Sequence, residues 1–452
     1  MKRTTRPTMV AAGLLAGSLM LSACGAGGRE EGGGSGTDSG EAGDTTGVTD
    51  STISIGTHMP LTGVAAPGYS EIPTGSAAYF DFVNENGGVN GRTIEYAVQD
   101  DAYNPTNTTN VVREFVQQDQ VFGIMGGLGT PTHGAVVDFL NEQEVPDLFV
   151  SSGSIAWGDD PQAKPYTFGW QPDYEIEGKI IGQYVAENFP DAQVGLFLQD
   201  DDLGADGEIG LRQFIDDQIV SVARYTSGNT DVAPQITQLQ SDGADLVIGF
   251  NTPSYTALSQ LVALQTQFDP QWIYTNVGSD PALVGGLLAN FSEGAVDEGA
   301  SALDGVLTTA YIPGVDTPED PWVQLWERVW EEHGGEGELT NYRIYGMSQA
   351  YAFVQALQAA GEDLTRQGIV SALEEVGGSL EGPQLAPFRY SADSHLGIGG
   401  MRMIELEGTE SNELTPVLTT DLGEGTPIEA DASEQANDAP PENGIPDVQP
   451  VG

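Results

Sequence analysis

Cysteine occurs once in the 452 residues, at Cys24, so no disulfide can form within the chain. Positive charge is nearly as scarce: 15 Lys and Arg stand against 67 Asp and Glu, a formal net charge of −52. Lysine is confined to Lys2, Lys164 and Lys179. Nucleic-acid binding needs clustered cations to displace counterions from phosphates, and this composition excludes it. The acids are scattered rather than grouped like metal ligands, which reads as a solvated surface suited to high salt, where self-repulsion is screened. The four histidines (His58, His133, His333, His395) show no His-x-x-x-His spacing, so a zinc site is not expected. No Gly-x-Ser-x-Gly elbow occurs; Gly346-Met347-Ser348-Gln349-Ala350 falls within a helical pattern and reads as packing. No nucleophile with a base is visible, so an enzyme is not expected, and nothing calls for a cofactor.

At the N-terminus, Lys2, Arg3 and Arg6 precede VAAGLLAGSLML, too short to span a bilayer but of the length of a secretory signal. It ends in Leu21-Ser22-Ala23-Cys24, which resembles a bacterial lipobox. That implies a signal peptide over 1–23, lipidation at Cys24 and an anchor on the outer face of the membrane. Residues 24–51, rich in Gly, Ser and acids, read as a flexible tether. Residues 411–452, acidic and Pro-rich, read as a disordered tail.

The body between them alternates. Strand patterns at 52–56, 93–99, 121–125 and 147–150 are interleaved with helical ones at 74–88 and 105–118. A second series has a helix at 174–189 and strands at 193–199, 219–225, 245–250 and 271–276. Short apolar strands alternating with helices predict parallel sheets covered on both faces, an α/β fold, and two such series predict two lobes with a cleft between them. Ligands in such folds sit beyond the carboxyl ends of the strands.

The stretch GGLGTPTHGAVVDFL (126–140) occupies that position. It lacks the lysine of a phosphate-binding P-loop, and Gly127, Gly129 and Gly134 are misspaced for a dinucleotide fingerprint. Two readings stay open. Thr130, Thr132 and free amides can hold a carboxylate, or the same residues merely cap a helix with Pro131 in its first turn. Asp200-Asp201-Asp202 lacks the spaced oxygens of a calcium loop and reads as a strand-end loop facing the cleft. Trp326 and Trp330, at i and i+4, read as a packed helix face.

VNENGGVNGRTIEYAVQDDAYNP (83–105), PLTG (60–63), VFGIMGGLGTPT, VPDLFVSSGS (145–154), GWQP (169–172) and QDDDLG (199–204) occur in the order in which their counterparts run in the Leu/Ile/Val-binding proteins, and residues 52 to 410 resemble that family. The resemblance implies a type I periplasmic binding protein: two Rossmann-like lobes joined by three hinge crossovers, monomeric, without cofactor or catalysis. Lobe 1 is expected over 52–170 plus about 303–382, lobe 2 over 171–302 plus about 383–410, and the crossovers near Gln171, Leu303 and Pro383. The partners implied are a small-molecule solute and the permease subunits of an ABC importer with their cytoplasmic ATPases. A ligand-sensing module acting on a receptor partner is the alternative.

The resemblance also implies site residues. Gly127, Leu128 and Thr130, with Ser151, Ser152 and Ser154, match the segments that bind a ligand carboxylate. Leu203 stands where the family has a tyrosine, Thr252 near a companion tyrosine, and Asn276 near the acid that pairs with an amino acid's ammonium. Tyr69 and Trp157 are candidate aromatic walls. A buried ammonium without a charged partner costs several kcal/mol, so these departures open the solute class to aromatic or aliphatic organic acids beside branched-chain amino acids.

Overall fold

A computed structural model describes residues 43–296, 299–430 and 439–451. The leader, Cys24 and the first part of the tether lie outside the described residues. The first series runs β1 (Thr52–Met59), α1 (Ile72–Glu85), β2 (Thr93–Asp100), α2 (Pro105–Glu114), β3 (Gly123–Met125), α3 (Thr130–Gly134), α4 (Val137–Glu142), β4 (Asp147–Val150) and β5 (Thr167–Gly169). Its five strands pair in parallel in the order β2-β1-β3-β4-β5. The inner strands β3 and β4 are buried throughout, whereas the edge strand β2 exposes much of one face. That is the difference between a continuous apolar run and an interrupted one.

The second series runs α5 (Tyr174–Asn188), β6 (Val194–Gln199), α6 (Asp202–Ile215), β7 (Ile219–Tyr225), α7 (Ala233–Ser241), β8 (Leu246–Phe250), α8 (Pro253–Thr266), β9 (Gln271–Tyr274), α9 (Pro281–Phe291) and β10 (Leu307–Ala310). Then follow α10 (Pro321–His333), α11 (Asn341–Ala360) and α12 (Arg366–Val376), and finally β11 (Gly400–Glu407), β12 (Glu410–Glu413), β13 (Leu418–Thr419) and β14 (Glu429–Ala430). The second sheet is parallel through β7-β6-β8-β9-β10 and continues antiparallel into β11, β13 and β14, with β12 pairing β11. The helices α10, α11 and α12 return to the first lobe. There α1 and α11 cross with their backbones in contact: a Cβ on Gly75 would lie 2.2 Å from the Arg343 carbonyl oxygen, and one on Gly346 2.0 Å from that of Ile72. Trp326 and Trp330 are buried, with Trp326 edge-on to Tyr79 of α1, as the i, i+4 pattern predicts.

The expected boundaries shift at two of the crossovers. The second crossover comes after Ala310 rather than near Leu303, because β10 pairs with β9 and β11 inside the second sheet. The third comes near Gly399 rather than Pro383: Gly169 N–H donates to His395 O at 3.0 Å and His395 stacks on Phe168, so this stretch still lies against β5. Both ends of the body are also seated, contrary to the tether and tail readings. Asp44 pairs with Arg366 at 3.0 Å, and Val48 bridges Ile53. At the other end, Gly423 N–H donates to Glu175 and Tyr79 OH to the Gly444 carbonyl. Composition foretold disorder there, but a chain poor in apolar groups can still be held through its backbone N–H and C=O groups.

Candidate functional site

The carboxyl ends of the strands in the two sheets face one another across a cavity of about 340 Å³. From the first lobe, Tyr69 enters just ahead of α1, Tyr103 from beyond β2, Leu128, Gly129 and Thr130 from the loop after β3, and Ser151 from beyond β4. From the second come Leu203 at the start of α6, Thr252 ahead of α8, Asn276 to Asp280 after β9, and Thr308 to Ile312 on and after β10. Gln171 and Tyr311 sit at crossovers, and α11 adds Asn341, Tyr342 and Tyr345.

The loop after β3 owes its shape to glycine. Gly129 has φ of +103°, and a Cβ there would lie 2.4 Å from the Tyr103 ring, so only glycine lets that ring close over the loop. Thr130 Oγ1 bonds Ser152 Oγ at 2.8 Å, and Gln349 of α11 donates to Ser151 Oγ at 2.9 Å. Burial raises the phenols of Tyr69, Tyr103, Tyr311 and Tyr342 well above their ordinary range, so all are neutral walls with a polar tip.

On the opposite side Asn276 is spoken for. Its N–H and its Nδ2 both donate to Glu177 Oε1, which also accepts from Thr309, while Oε2 accepts from Thr275. Glu177 is fully buried, and desolvation raises its carboxyl despite those donors. Asp280 lines the cavity but caps α9 through Leu283 N–H and accepts from Asn341 Nδ2, at 2.8 Å each. Burial raises its carboxyl too.

Among the described residues, polar contacts close one lobe on the other. Tyr69 OH donates to Val277 O at 3.1 Å, Ser254 Oγ to Val64 O at 2.7 Å, Ile155 N–H to Asp206 Oδ2 at 3.1 Å, and Asn341 to Asp280. Asp206 is pushed up to about 7, chiefly by burial, with Asp202 and Asp173 nearby.

Of the sequence-predicted residues, Tyr69, Leu128, Thr130, Ser151, Leu203, Thr252 and Asn276 line the cavity. Four others stand back from it. Gly127 lies behind the loop, against the rings of His58 and His133. Ser152 bonds Thr130 and accepts from Ser154 N–H behind the cavity wall, and Ser154 accepts from Ala156 N–H to cap the turn at 155–157. Trp157 is no wall: it is buried against Val137 and Val150 and edge-on to His133. Tyr103, Gln171, Tyr174, Tyr311, Tyr342, Tyr345 and Asp280 were not foreseen. Tyr103 and Tyr311 follow the ends of β2 and β10, so the rule that ligands gather at strand ends would have found them; those on α11 have no such signal. Among the described residues no group of His, Cys, Asp and Glu is arranged to hold a metal ion, and no helix is long and apolar enough to cross a membrane.

Comparison with known proteins agrees with this geometry. Residues 52–411 match the family model described as periplasmic binding protein. The chain is similar to Leu/Ile/Val-binding protein homolog 1 of Brucella abortus (strain 2308), 23% identical over 334 residues that cover 72% of this chain and 83% of the relative. A possible leucine/isoleucine/valine-binding protein from Rhodopirellula baltica SH 1 superposes with a TM-score of 0.70 at 20% identity, over 82% of this chain and 98% of its own. A fatty acid ABC transporter substrate-binding protein from Thermomonospora curvata does so with a TM-score of 0.70 at 20% identity, over 84% and 95%. With a two-lobed α/β body, a cleft at the strand ends and a family match across nearly the whole of that body, the chain belongs to the periplasmic binding protein family.

Proposed function

We propose that this chain is the solute-binding component of an ABC importer, held to the outer face of the membrane by a lipid on Cys24. In this reading it works as a monomer without catalysis. It captures a small carboxylate-bearing solute between its lobes and delivers it to permease subunits driven by cytoplasmic ATPases. The observation that carries the reading is the hydroxyl pair of Thr130 and Ser152, with Ser151 beside it, at a cavity that also presents six tyrosines and several aliphatic side chains. Hydroxyls donate to a carboxylate without requiring a buried cation. The solute shifts an existing equilibrium between open and closed lobes, because only the closed form contacts it from both sides.

The solute class follows from the acids. Glu177 is saturated by four donors, and both oxygens of Asp280 are engaged. An ammonium beside Asn276 would find neither acid free of donors, and of the other lining acids (Asp316, Asp320, Glu410, Glu413) Asp316 accepts from Ser411 and Glu413 pairs with Arg402, so aromatic or aliphatic carboxylates are favoured over branched-chain amino acids. The fatty-acid protein from Thermomonospora curvata, of the same fold, is consistent with that preference. The test is a thermal-shift titration of the whole chain in high salt with L-leucine, L-valine, benzoate and decanoate. Benzoate or decanoate is expected to raise the unfolding midpoint in proportion to the logarithm of its concentration. A response to L-leucine alone would mean that Asp280 releases Asn341 to take the ammonium. No response to any carboxylate would overturn the reading.

A further inference from the structure

Behind the loop that carries Thr130, four titratable side chains form one buried line. His58 Nδ1 meets Asp101 Oδ2 at 2.8 Å, His58 Nε2 meets His133 Nδ1 at 3.0 Å, and His133 Nε2 meets Asp147 Oδ2 at 2.8 Å. All four are fully buried. Thr108 of α2 donates to Asp101 Oδ2 and Thr167 of β5 to Asp147 Oδ2, both at 2.9 Å. The edge of Trp157 closes the far side of His133. Asp101 and Asp147 are the charged groups that face the rings.

Each member holds part of the cavity wall. The His58 carbonyl accepts Leu128 N–H, and Asp101 Oδ1 accepts Tyr103 N–H at 2.8 Å. His133 rides on α3 with Thr130, and Asp147 opens the strand that leads to Ser151. The bond between the rings passes directly beneath Gly127, where a Cβ would lie 2.7 Å from His58 Nε2 and 2.8 Å from His133 Nδ1.

Three bonds need three protons, and two neutral imidazoles supply two. Without the third, one contact sets lone pair against lone pair. The third proton belongs on the rings, since imidazole is more basic than carboxylate. Asp147 Oδ1 is buried with no donor, which leaves that carboxylate dependent on a cationic neighbour. We propose that His58 and His133 are positioning residues of the solute site, sharing one proton that holds the loop Gly127–Thr130 in its solute-binding shape.

Burial draws the His58 ring below the ordinary histidine range, against the pull of Asp101. Burial thus opposes the third proton, and the line of bonds to Asp101 and Asp147 must outweigh it for the proton to stay; its loss as pH climbs from 5 to 8 then breaks the bond between the rings and loosens the loop. The inference rests on the carboxylate reading for its solute but not for its first measurement. In the full chain with 15N-labelled histidine and backbone amides, the ring nitrogens of His58 and His133 should carry three protons at pH 5. The amide signals of Gly127, Leu128, Gly129 and Thr130 should move with the same midpoint when the third is lost. Two neutral rings throughout, or loop amides that ignore the titration, would overturn the proposal whether or not any carboxylate binds. Benzoate affinity should fall about tenfold over the same range, the scale of one charge-assisted bond. His133→Gln should bind benzoate more weakly at pH 5 and lose the pH slope. If that variant fails to fold, the wild-type spectra alone decide. A His133→Gln protein that keeps the wild-type slope would overturn the assignment.

Discussion

Asn276 is gripped from behind by Glu177, whose Oε1 accepts both its N–H at 2.8 Å and its Nδ2 at 2.9 Å. The residue that stands where an ammonium partner would be is thereby turned into part of the cavity floor. Replacing Glu177 with alanine leaves Thr275, Asn276 and Thr309 without their buried acceptor and should cost about 3 kcal/mol of stability. Glu177→Gln should keep the fold, because its carbonyl oxygen can still accept. Burial raises the Glu177 carboxyl, so the native state holds its proton more tightly than the unfolded chain does. That contribution is complete below the ordinary glutamate value of about 4.3 and is lost as pH rises through the raised one. Denaturant unfolding between pH 4 and 8 should show this decline in the wild type and its absence in Glu177→Gln.

Thr130 and Ser152 should act as one unit. Thr130 faces the cavity, whereas Ser152 stands behind it, joined to Thr130 by the 2.8 Å bond between the hydroxyls. Thr130→Ala and Ser152→Ala are each expected to weaken benzoate binding about five- to tenfold with little effect on folding, the scale of one hydrogen bond. The double variant should be hardly worse than Thr130→Ala. Calorimetric titration of the three proteins checks this; additive losses would show that Ser152 contributes by a separate route.

Two lobes, parallel sheets and a cleft at the strand ends were legible in the sequence because they rest on local patterning, and β4 and β7 begin and end at the expected residues. What stayed hidden was joined across long separations. His58 and His133 are 75 residues apart and show no ligand spacing, yet adjacent strand ends bring their rings together. Trp157 looked like a wall because aromatics in loops near a cleft often are, but its indole fills the space between Val137 and Val150. The tyrosines of α11 lie on a helix that is buried almost all round, so no stripe marks the face that meets the cavity. The seated C-terminal segment escaped notice because its attachments are largely backbone groups, to which composition is blind.

That segment yields a prediction of its own. Beyond Ala439 the chain lies on the first lobe: Gln358 Nε2 donates to Pro446 O, Val448 N–H to Gln358 Oε1, Val451 N–H to Ala359 O, and Tyr79 OH to Gly444 O. Gly444 also packs against Leu325 and Phe82. Ending the chain after Ala430 strips these groups of their partners and should lower stability by about 1–2 kcal/mol. Scanning calorimetry of the shortened chain measures it, and an unchanged midpoint would mean that the seat adds nothing.

Asp206 should make closure favourable in acid. It lies on α6 of the second lobe and accepts the Ile155 N–H of the first, so the bond exists only while the lobes touch. In that state burial pushes its carboxyl up to about 7. When the lobes part, the group regains water and returns toward the ordinary aspartate value of about 3.9. Closing therefore takes up a proton between those two values. The closed state keeps its full advantage below about pH 4 and loses it progressively as pH rises toward 7. X-ray scattering of the solute-free protein should accordingly show a radius of gyration that grows from pH 5 to pH 8. Asp206→Asn retains an oxygen for the Ile155 N–H but cannot titrate, and its radius should stay constant over the same range. A variant that expands with pH as the wild type does would place the acid-sensitive contact elsewhere between the lobes.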